Sequence, residues 1–174
     1  MHARYHPALV ALHWTLGVML AGALIAGATV LAPMDNADPD KLISFRMHMG
    51  LGLAILLLML LRLAVRARTP HPPRASSGVA LFDALAPWVH RALYAVTILM
   101  ALSGIALSVS SGLGAAVWGT GPMPADFAGN PFRAAHGILS KLLMGLIALH
   151  IGAVIFHGAV KGDALLGRMW FGRD

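Results

Sequence analysis

The sequence predicts an all-α integral membrane protein whose single transmembrane domain, residues 1–174, is a four-helix bundle. Three observations predict it. Hydrophobic residues make up 58% of the 174 residues and charged residues only 11%, whereas a soluble domain has about 25% charged residues. The mean hydropathy is +0.75. Apolar stretches long enough to cross a bilayer recur four times.

The four predicted spans follow one another along the whole chain. Each contains 20 or more mostly apolar residues, which matches a hydrocarbon layer about 30 Å thick. We place them at residues 8–31, 43–65, 86–110 and 135–160.

The three connecting segments differ in character. Residues 33–42 are short and acidic, and residues 66–79 are basic and rich in proline. Residues 111–134 form a longer loop with glycine, proline and aromatic residues, which could cover the end of the bundle or merely connect two helices.

The composition also excludes several kinds of chemistry. Cysteine is absent, which rules out disulfides, iron–sulfur clusters and thiolate ligands. Glutamate is absent too, which argues against a carboxylate-bridged di-iron centre. The formal charge of +6 is more typical of membrane topology than of nucleic-acid binding, so we expect no nucleic-acid partner.

The distribution of basic residues predicts the orientation. Both termini and the 66–79 segment lie on the side with the larger share of the 13 bases. By the positive-inside rule this side is cytoplasmic. Its bases are Arg4, Arg62, Arg66, Arg68, Arg74, Arg91, Lys161, Arg168 and Arg173. The opposite side has Lys41, Arg46, Arg133 and Lys141.

Four histidines within the spans are the candidate ligands. His136 and His150 are fourteen residues apart, so they lie within about 40° of each other on one helix face and about 21 Å apart along its axis. Depth pairs His48 with His136 on the outer side and His13 with His150 on the inner side. The spacing therefore predicts two bis-histidine sites in the membrane.

The chemistry of these sites favours haem. An isolated histidine in a membrane span can be satisfied by a hydrogen bond to a neighbouring helix, but four at two depths indicate function. Zinc usually takes three or four protein ligands, whereas two axial imidazoles suit a haem iron. No CxxCH motif is present, so we expect two non-covalent b haems.

Two further histidines are secondary candidates. His90 is a rival inner ligand, or a rim residue that contacts a propionate or a quinone. His157 lies seven residues beyond His150 on the same face, where it suits a quinone carbonyl or proton transfer, or equally an interfacial position facing lipid headgroups. We assign no role to His2, His6 or His71.

Glycines near the ligand depths could let a flat macrocycle or a neighbouring helix approach closely, although ordinary helix packing explains them equally well. They are Gly17, Gly50, Gly52, Gly104 and Gly137.

An ordered set of short motifs resembles the bacterial cytochrome b561 family, which belongs to a wider group with the b-type cytochrome subunits of nickel–iron hydrogenases and formate dehydrogenases. The motifs are ALHW at 11–14, FRMHMGLG at 45–52, LLRLAVR at 60–66, TPHPP at 69–73, HRALY at 90–94, AAHG at 134–137 and ALHIGAVIFH at 148–157. The length and the four spans are similar to those of stand-alone members, including superoxide:ubiquinone oxidoreductases.

The resemblance implies a di-haem protein with the two ligand pairs given above, and it places His90 outside the ligand set. It also implies ubiquinone as acceptor near the cytoplasmic haem, and a small anionic or redox donor, superoxide, on the periplasmic side. The alternative is a subunit that passes electrons between a partner dehydrogenase or hydrogenase and the quinone pool. A bundle without cofactor, such as a transporter, is a third hypothesis. A homodimer is possible.

The outer bases are candidate catalytic residues in this scheme. Lys41, Arg46 and Arg133, together with Lys141, could attract superoxide and raise its association rate. Arg46 could instead neutralise a haem propionate, and Lys141 could extend outward toward one.

Overall fold

The computed structural model describes residues 4–73, 76, 78–162 and 165–171. Four helices in it are long and apolar enough to cross a membrane, which confirms the four predicted spans. They are α1 (Pro7–Leu31), α2 (Lys41–Arg68), α3 (Ala80–Ser110) and α5 (Pro131–Val160). A short helix α4 (Leu113–Trp118) lies between α3 and α5, and a 3₁₀ helix spans Leu166–Met169. The last five residues of α1 and of α5 are π-helical.

Helices α1 and α5 begin in the same way. Each has a proline in its first turn and a capping side chain before it. The His6 imidazole accepts a hydrogen bond from the Ala8 amide at 3.2 Å, and the Asn130 side chain accepts one from the Phe132 amide at 3.0 Å. Proline at the helix start and a side-chain acceptor at the cap are strong start signals. They explain why α5 begins before the predicted residue 135.

Helix α3 also begins earlier than the predicted residue 86, because the helix continues through Pro87 back to Ala80. Proline has no amide hydrogen, so one backbone hydrogen bond of this helix cannot form. Asp83 in the first turn is favourably placed for the helix dipole, and its carboxylate accepts a hydrogen bond from the Ser76 hydroxyl at 2.6 Å.

The apolar core of the bundle is formed by α1, α2 and α3. Leu16, Ile55 and Met59 are buried at its centre, and Tyr94 and Ile98 of α3 pack against them. Over the described residues, α5 packs closely against α3, whereas its backbone stays largely apart from those of α1 and α2. The bundle therefore has one side, where α5 faces the α1–α2 pair, on which the backbones are not closely packed and contacts are made by side chains.

We call the end of the bundle that carries residues 32–40 and 111–130 the loop end. There, α4 buries Leu113, Ala116 and Val117, so this segment covers the helix ends rather than only connecting them. Arg46 holds α4 in place, since its Nε and Nη2 donate to the Val117 carbonyl at 3.2 and 2.9 Å.

We call the opposite end, where α1 starts and α5 finishes, the terminal end. The segment after α5 crosses the start of α1. The Trp14 indole donates to the Met169 carbonyl at 2.7 Å, and the Arg168 guanidinium donates to the Pro73 carbonyl at 2.7 Å. The first contact fixes this segment beside His13, the neighbour of Trp14, and the second ties it to the segment that follows α2.

Candidate cofactor site

The four candidate histidines lie in the two pairs that their depths predicted. The ring centroids of His13 and His150 are 6.0 Å apart at the terminal end, and those of His48 and His136 are 6.1 Å apart at the loop end. The interplanar angle is 78° in both pairs. Helix α5 supplies one imidazole to each pair, across the face where its backbone stays apart from α1 and α2.

These separations fit one iron between each pair of imidazoles. A metal–nitrogen bond of about 2 Å plus about 1 Å from the nitrogen to the ring centre, on each side, places two opposed ring centroids about 6 Å apart. Within the described part of the chain, no three histidine, cysteine, aspartate or glutamate side chains are grouped to hold a metal ion. Two facing imidazoles at each level are thus the donor set that a b haem requires, because the macrocycle supplies the other four ligands.

At the loop end, hydrogen bonds fix the orientation of the His136 ring. Its Nδ1 lies 3.1 Å from the Met100 carbonyl and 3.0 Å from the Ser103 hydroxyl. The same hydroxyl donates to the Met100 carbonyl at 2.7 Å. A carbonyl can only accept, so Nδ1 carries the proton and Nε2 keeps its lone pair, which is the tautomer suited to binding metal through Nε2.

Two glycines lie against the loop-end imidazoles. A Cβ atom added at Gly27 would lie 3.2 Å from Cε1 of His48, and one added at Gly104 would lie 3.2 Å from Cε1 of His136. Both distances are shorter than ordinary carbon contacts. Gly104 was among the predicted small residues, whereas Gly27 was not. For Gly17, Gly50 and Gly52 an added Cβ would meet nothing within 4 Å.

At the terminal end, a third imidazole lies beside the pair. The His90 ring centroid is 5.3 Å from that of His150, and its Nδ1 is 2.8 Å from the Ala86 carbonyl of its own helix. Two imidazoles on opposite sides of one metal are expected to have ring centres about 6 Å apart, and the His90–His150 separation is shorter. The His13–His150 separation, in contrast, matches that of the loop-end pair. The geometry therefore favours His13 over His90 as the partner of His150.

Arg62 is a component of the terminal end that the sequence reasoning used only for its charge. Its side chain is 7% exposed, its Nε donates to the Tyr94 hydroxyl at 2.8 Å, and its Nη1 donates to the Leu9 carbonyl at 2.7 Å. The sequence did indicate the position of Arg62, because Arg62 lies fourteen residues after His48. The same interval separates the two histidines of α5.

The predicted outer basic group divides into two kinds of residue. The Lys41 residue is 5% exposed, and its ammonium donates to the Leu31 and Met34 carbonyls at 2.7 and 2.6 Å, so it closes the end of α1. Arg46 is similarly engaged with Val117, and its guanidinium also lies 5.9 Å from the Trp118 ring.

The Arg133 and Lys141 side chains, in contrast to that of Lys41, are exposed, as is that of Arg46. The Arg133 charge is close enough to act electrostatically on both His136 and Lys41. Arg46, Arg133 and Lys141 therefore present charge to the surroundings, and of these Arg46 is engaged with the Val117 carbonyl.

The remaining histidines occupy distinct places. The His157 side chain is only 8% exposed, and its ring lies 6.1 Å from that of Phe156. His6 caps α1, as described above, and His2 lies outside the described residues. The His71 ring lies edge-on to Tyr5 at 6.0 Å, and burial followed by the Arg66 charge lowers the pKa of His71, which keeps it neutral near pH 7.

Two comparisons with known proteins bear on this arrangement. The family model for prokaryotic cytochrome b561 matches residues 4–172, almost the whole chain. No curated protein matches the chain.

Proposed function

Because the chain belongs to the prokaryotic cytochrome b561 family, whose members are membrane proteins that transfer electrons through b-type haem, we propose that it holds two b haems and carries single electrons across the membrane. In this proposal the donor reacts at the loop end, and a quinone is reduced at the terminal end. The protein would lie in the bacterial inner membrane with both termini in the cytoplasm.

The observation that carries the proposal is the equivalence of the two imidazole pairs. His13 and His150 would hold one haem, and His48 and His136 the other, since their separations of 6.0 and 6.1 Å are nearly equal. When bound, each haem would supply one-electron redox chemistry.

The protein contributes fixed positions for the two sites. Helix α5 carries both of its histidines on one face about 21 Å apart along its axis, so a single rigid element sets the vertical spacing. Glycines and the Ser103–Met100 contact restrict the loop-end rings. Because all four histidines lie on helices long and apolar enough to span a bilayer, the route between the pairs would run through the apolar layer.

Superoxide is the donor that suits the loop end. It is a small anion, and the exposed side chains of Arg133 and Lys141 would attract it toward the His48–His136 pair and raise its association rate. His48 and His136 would hold the haem that takes up the electron, and superoxide, having lost one electron, would leave as oxygen.

Ubiquinone is the acceptor that suits the terminal end. His90 is exposed beside His150, and His157 lies about two helical turns beyond His150, in the π-helical end of α5. An imidazole can donate a hydrogen bond to a quinone carbonyl and can deliver a proton as the quinone is reduced. His90 and His157 would therefore act as quinone contacts rather than as haem ligands.

A haem count and a stopped-flow experiment test the proposal together. We expect two b haems per chain in the purified protein and one in His150→Ala. Superoxide should reduce the wild-type protein rapidly, and added ubiquinone should reoxidise it. One haem in the wild type would overturn the two-site assignment. Failure of superoxide to reduce a protein with both haems would overturn the donor, and co-purification with a soluble dehydrogenase would point to the partner-subunit alternative.

A further inference from the structure

Arg62 places a positive charge inside the bundle at the terminal end. The Arg62 residue is 7% exposed, and its guanidinium lies 5.8 Å from the Tyr94 ring centre. The two groups that accept its hydrogen bonds, the Tyr94 hydroxyl and the Leu9 carbonyl, are both neutral. These bonds satisfy donors of the guanidinium without neutralising its charge. A charge held in this way within a membrane helix is costly, and such residues usually have a function.

The contacts of Arg62 place it at the His13–His150 pair. Leu9 lies one helical turn before His13 on α1, and Tyr94 lies one turn after His90 on α3. The Arg62 charge also acts electrostatically on both His13 and His150. On α2, Arg62 lies on the same face as His48 but at the opposite depth, because fourteen residues are almost four helical turns.

A fixed positive charge near a redox centre favours its reduced state, which has one positive charge less. The effect is larger for a buried charge than for an exposed one, because solvent and salt screen the exposed charge. The exposed Arg133 at the loop end is subject to that screening, whereas Arg62 is not. The two ends therefore differ in the electrostatic environment of otherwise equivalent imidazole pairs.

We propose that Arg62 is a positioning charge that raises the reduction potential of the haem held by His13 and His150, and so draws the electron to the terminal end. This inference rests on the proposed two-haem function. One electron leaves the centre held by His48 and His136 and one is gained by the centre held by His13 and His150, with no bond made or broken. Arg62 itself keeps its proton throughout, since a guanidinium is not deprotonated in proteins.

The test is a redox titration of Arg62→Gln, in which the amide retains hydrogen-bonding capacity but the charge is lost. We expect the electron to shift toward the loop-end haem by about tenfold in the half-reduced protein, which corresponds to about 59 mV for a one-electron couple. The spectrum of His150→Ala identifies the loop-end haem. The matched control is Arg66→Gln, which removes an exposed charge one turn further along the same helix and should shift the distribution by less than threefold.

Two charge-preserving variants separate the charge from the hydrogen bonds. Arg62→Lys and Tyr94→Phe each disturb the contacts of the guanidinium, and both should keep the wild-type electron distribution within threefold. They also test the proposal if Arg62→Gln does not accumulate, because a tenfold shift in either would show that Arg62 acts through its hydrogen bonds instead.

The outcomes distinguish this inference from the proposed function. A wild-type protein with fewer than two haems would overturn the function itself. Two haems in Arg62→Gln with a shift below threefold, or a shift toward the terminal end, would overturn the role of Arg62 and leave the function standing.

Discussion

The loop end and the terminal end contain imidazole pairs of nearly the same geometry in different surroundings. At the loop end, the rings are restrained by neutral contacts, namely Gly27, Gly104, Ser103 and the Met100 carbonyl. At the terminal end, the pair is accompanied by another imidazole, His90, and by the buried charge of Arg62. The comparison shows that ligand geometry alone does not distinguish the two sites. Their neighbours do, and those neighbours are where a difference in redox behaviour would originate.

The largest effect on haem content is expected when each terminal-end imidazole is removed in turn. We expect His13→Ala to lose one of the two haems, because the His13 ring centre lies at the required separation of about 6 Å from that of His150. His90→Ala should keep both haems, because its ring lies too close to His150 for a shared iron. Haem quantification per chain measures both. Loss of a haem from His90→Ala with retention in His13→Ala would reverse the ligand assignment.

The next largest effect is expected at the glycine beside His48. Gly27→Val would place a branched side chain where even a Cβ lies 3.2 Å from the imidazole, and such overpacking costs about 1–3 kcal/mol. We expect partial loss of the loop-end haem and a lower midpoint temperature of unfolding. The control is Gly22→Val on the same helix, where an added Cβ meets nothing within 4 Å. Equal effects of both substitutions would argue against a specific role of Gly27.

A smaller effect is expected for the exposed charge of the loop end. Arg133→Glu should slow reduction by superoxide by about tenfold at low ionic strength, with the difference shrinking as salt is added. Arg66→Glu, which makes the same change at the terminal end, should leave this rate unchanged. Stopped-flow absorbance over a range of salt concentrations measures both variants. Equal slowing by both would mean that net charge matters, and not the placement of charge near His136.

The smallest effect is expected for the hydroxyl beside His136. Ser103→Ala removes one hydrogen bond at Nδ1 but leaves the Met100 carbonyl in place, which should cost about 0.5–1.5 kcal/mol. We expect both haems to remain, with an altered electron paramagnetic resonance signal of the loop-end haem only. Ser108→Ala is the control, since both serines are 8% exposed on the same helix. A change confined to the terminal-end signal would contradict this assignment.

Most of the architecture could be predicted from the sequence. The four spans are strong signals because a bilayer requires long apolar helices, and the pairing of His48 with His136 and of His13 with His150 followed from depth alone. Helix α3 extends six residues before the predicted span, because it continues through Pro87. Helix α5 extends four residues before the predicted span, and Asn130 and Pro131 form a recognisable start signal for it.

The roles of individual cations were harder to predict. A lysine at the start of an apolar helix suggests an exposed charge, yet the Lys41 ammonium is buried against the carbonyls that end α1. Arg46 is likewise engaged with a carbonyl of α4. Which carbonyls are free to accept depends on where the chain turns, and that is not encoded in residue spacing.

The sequence by itself determined the membrane class, the helical bundle and the depth of each histidine, because hydropathy and the rise per residue are local properties of the chain. Only the tertiary structure decided that His13 rather than His90 matches the loop-end geometry, that glycines lie against His48 and His136, and that Arg62 is buried beside the terminal-end pair. These facts depend on the rotation of each helix about its axis and on its distance from its neighbours, which are set by packing between segments far apart in the chain.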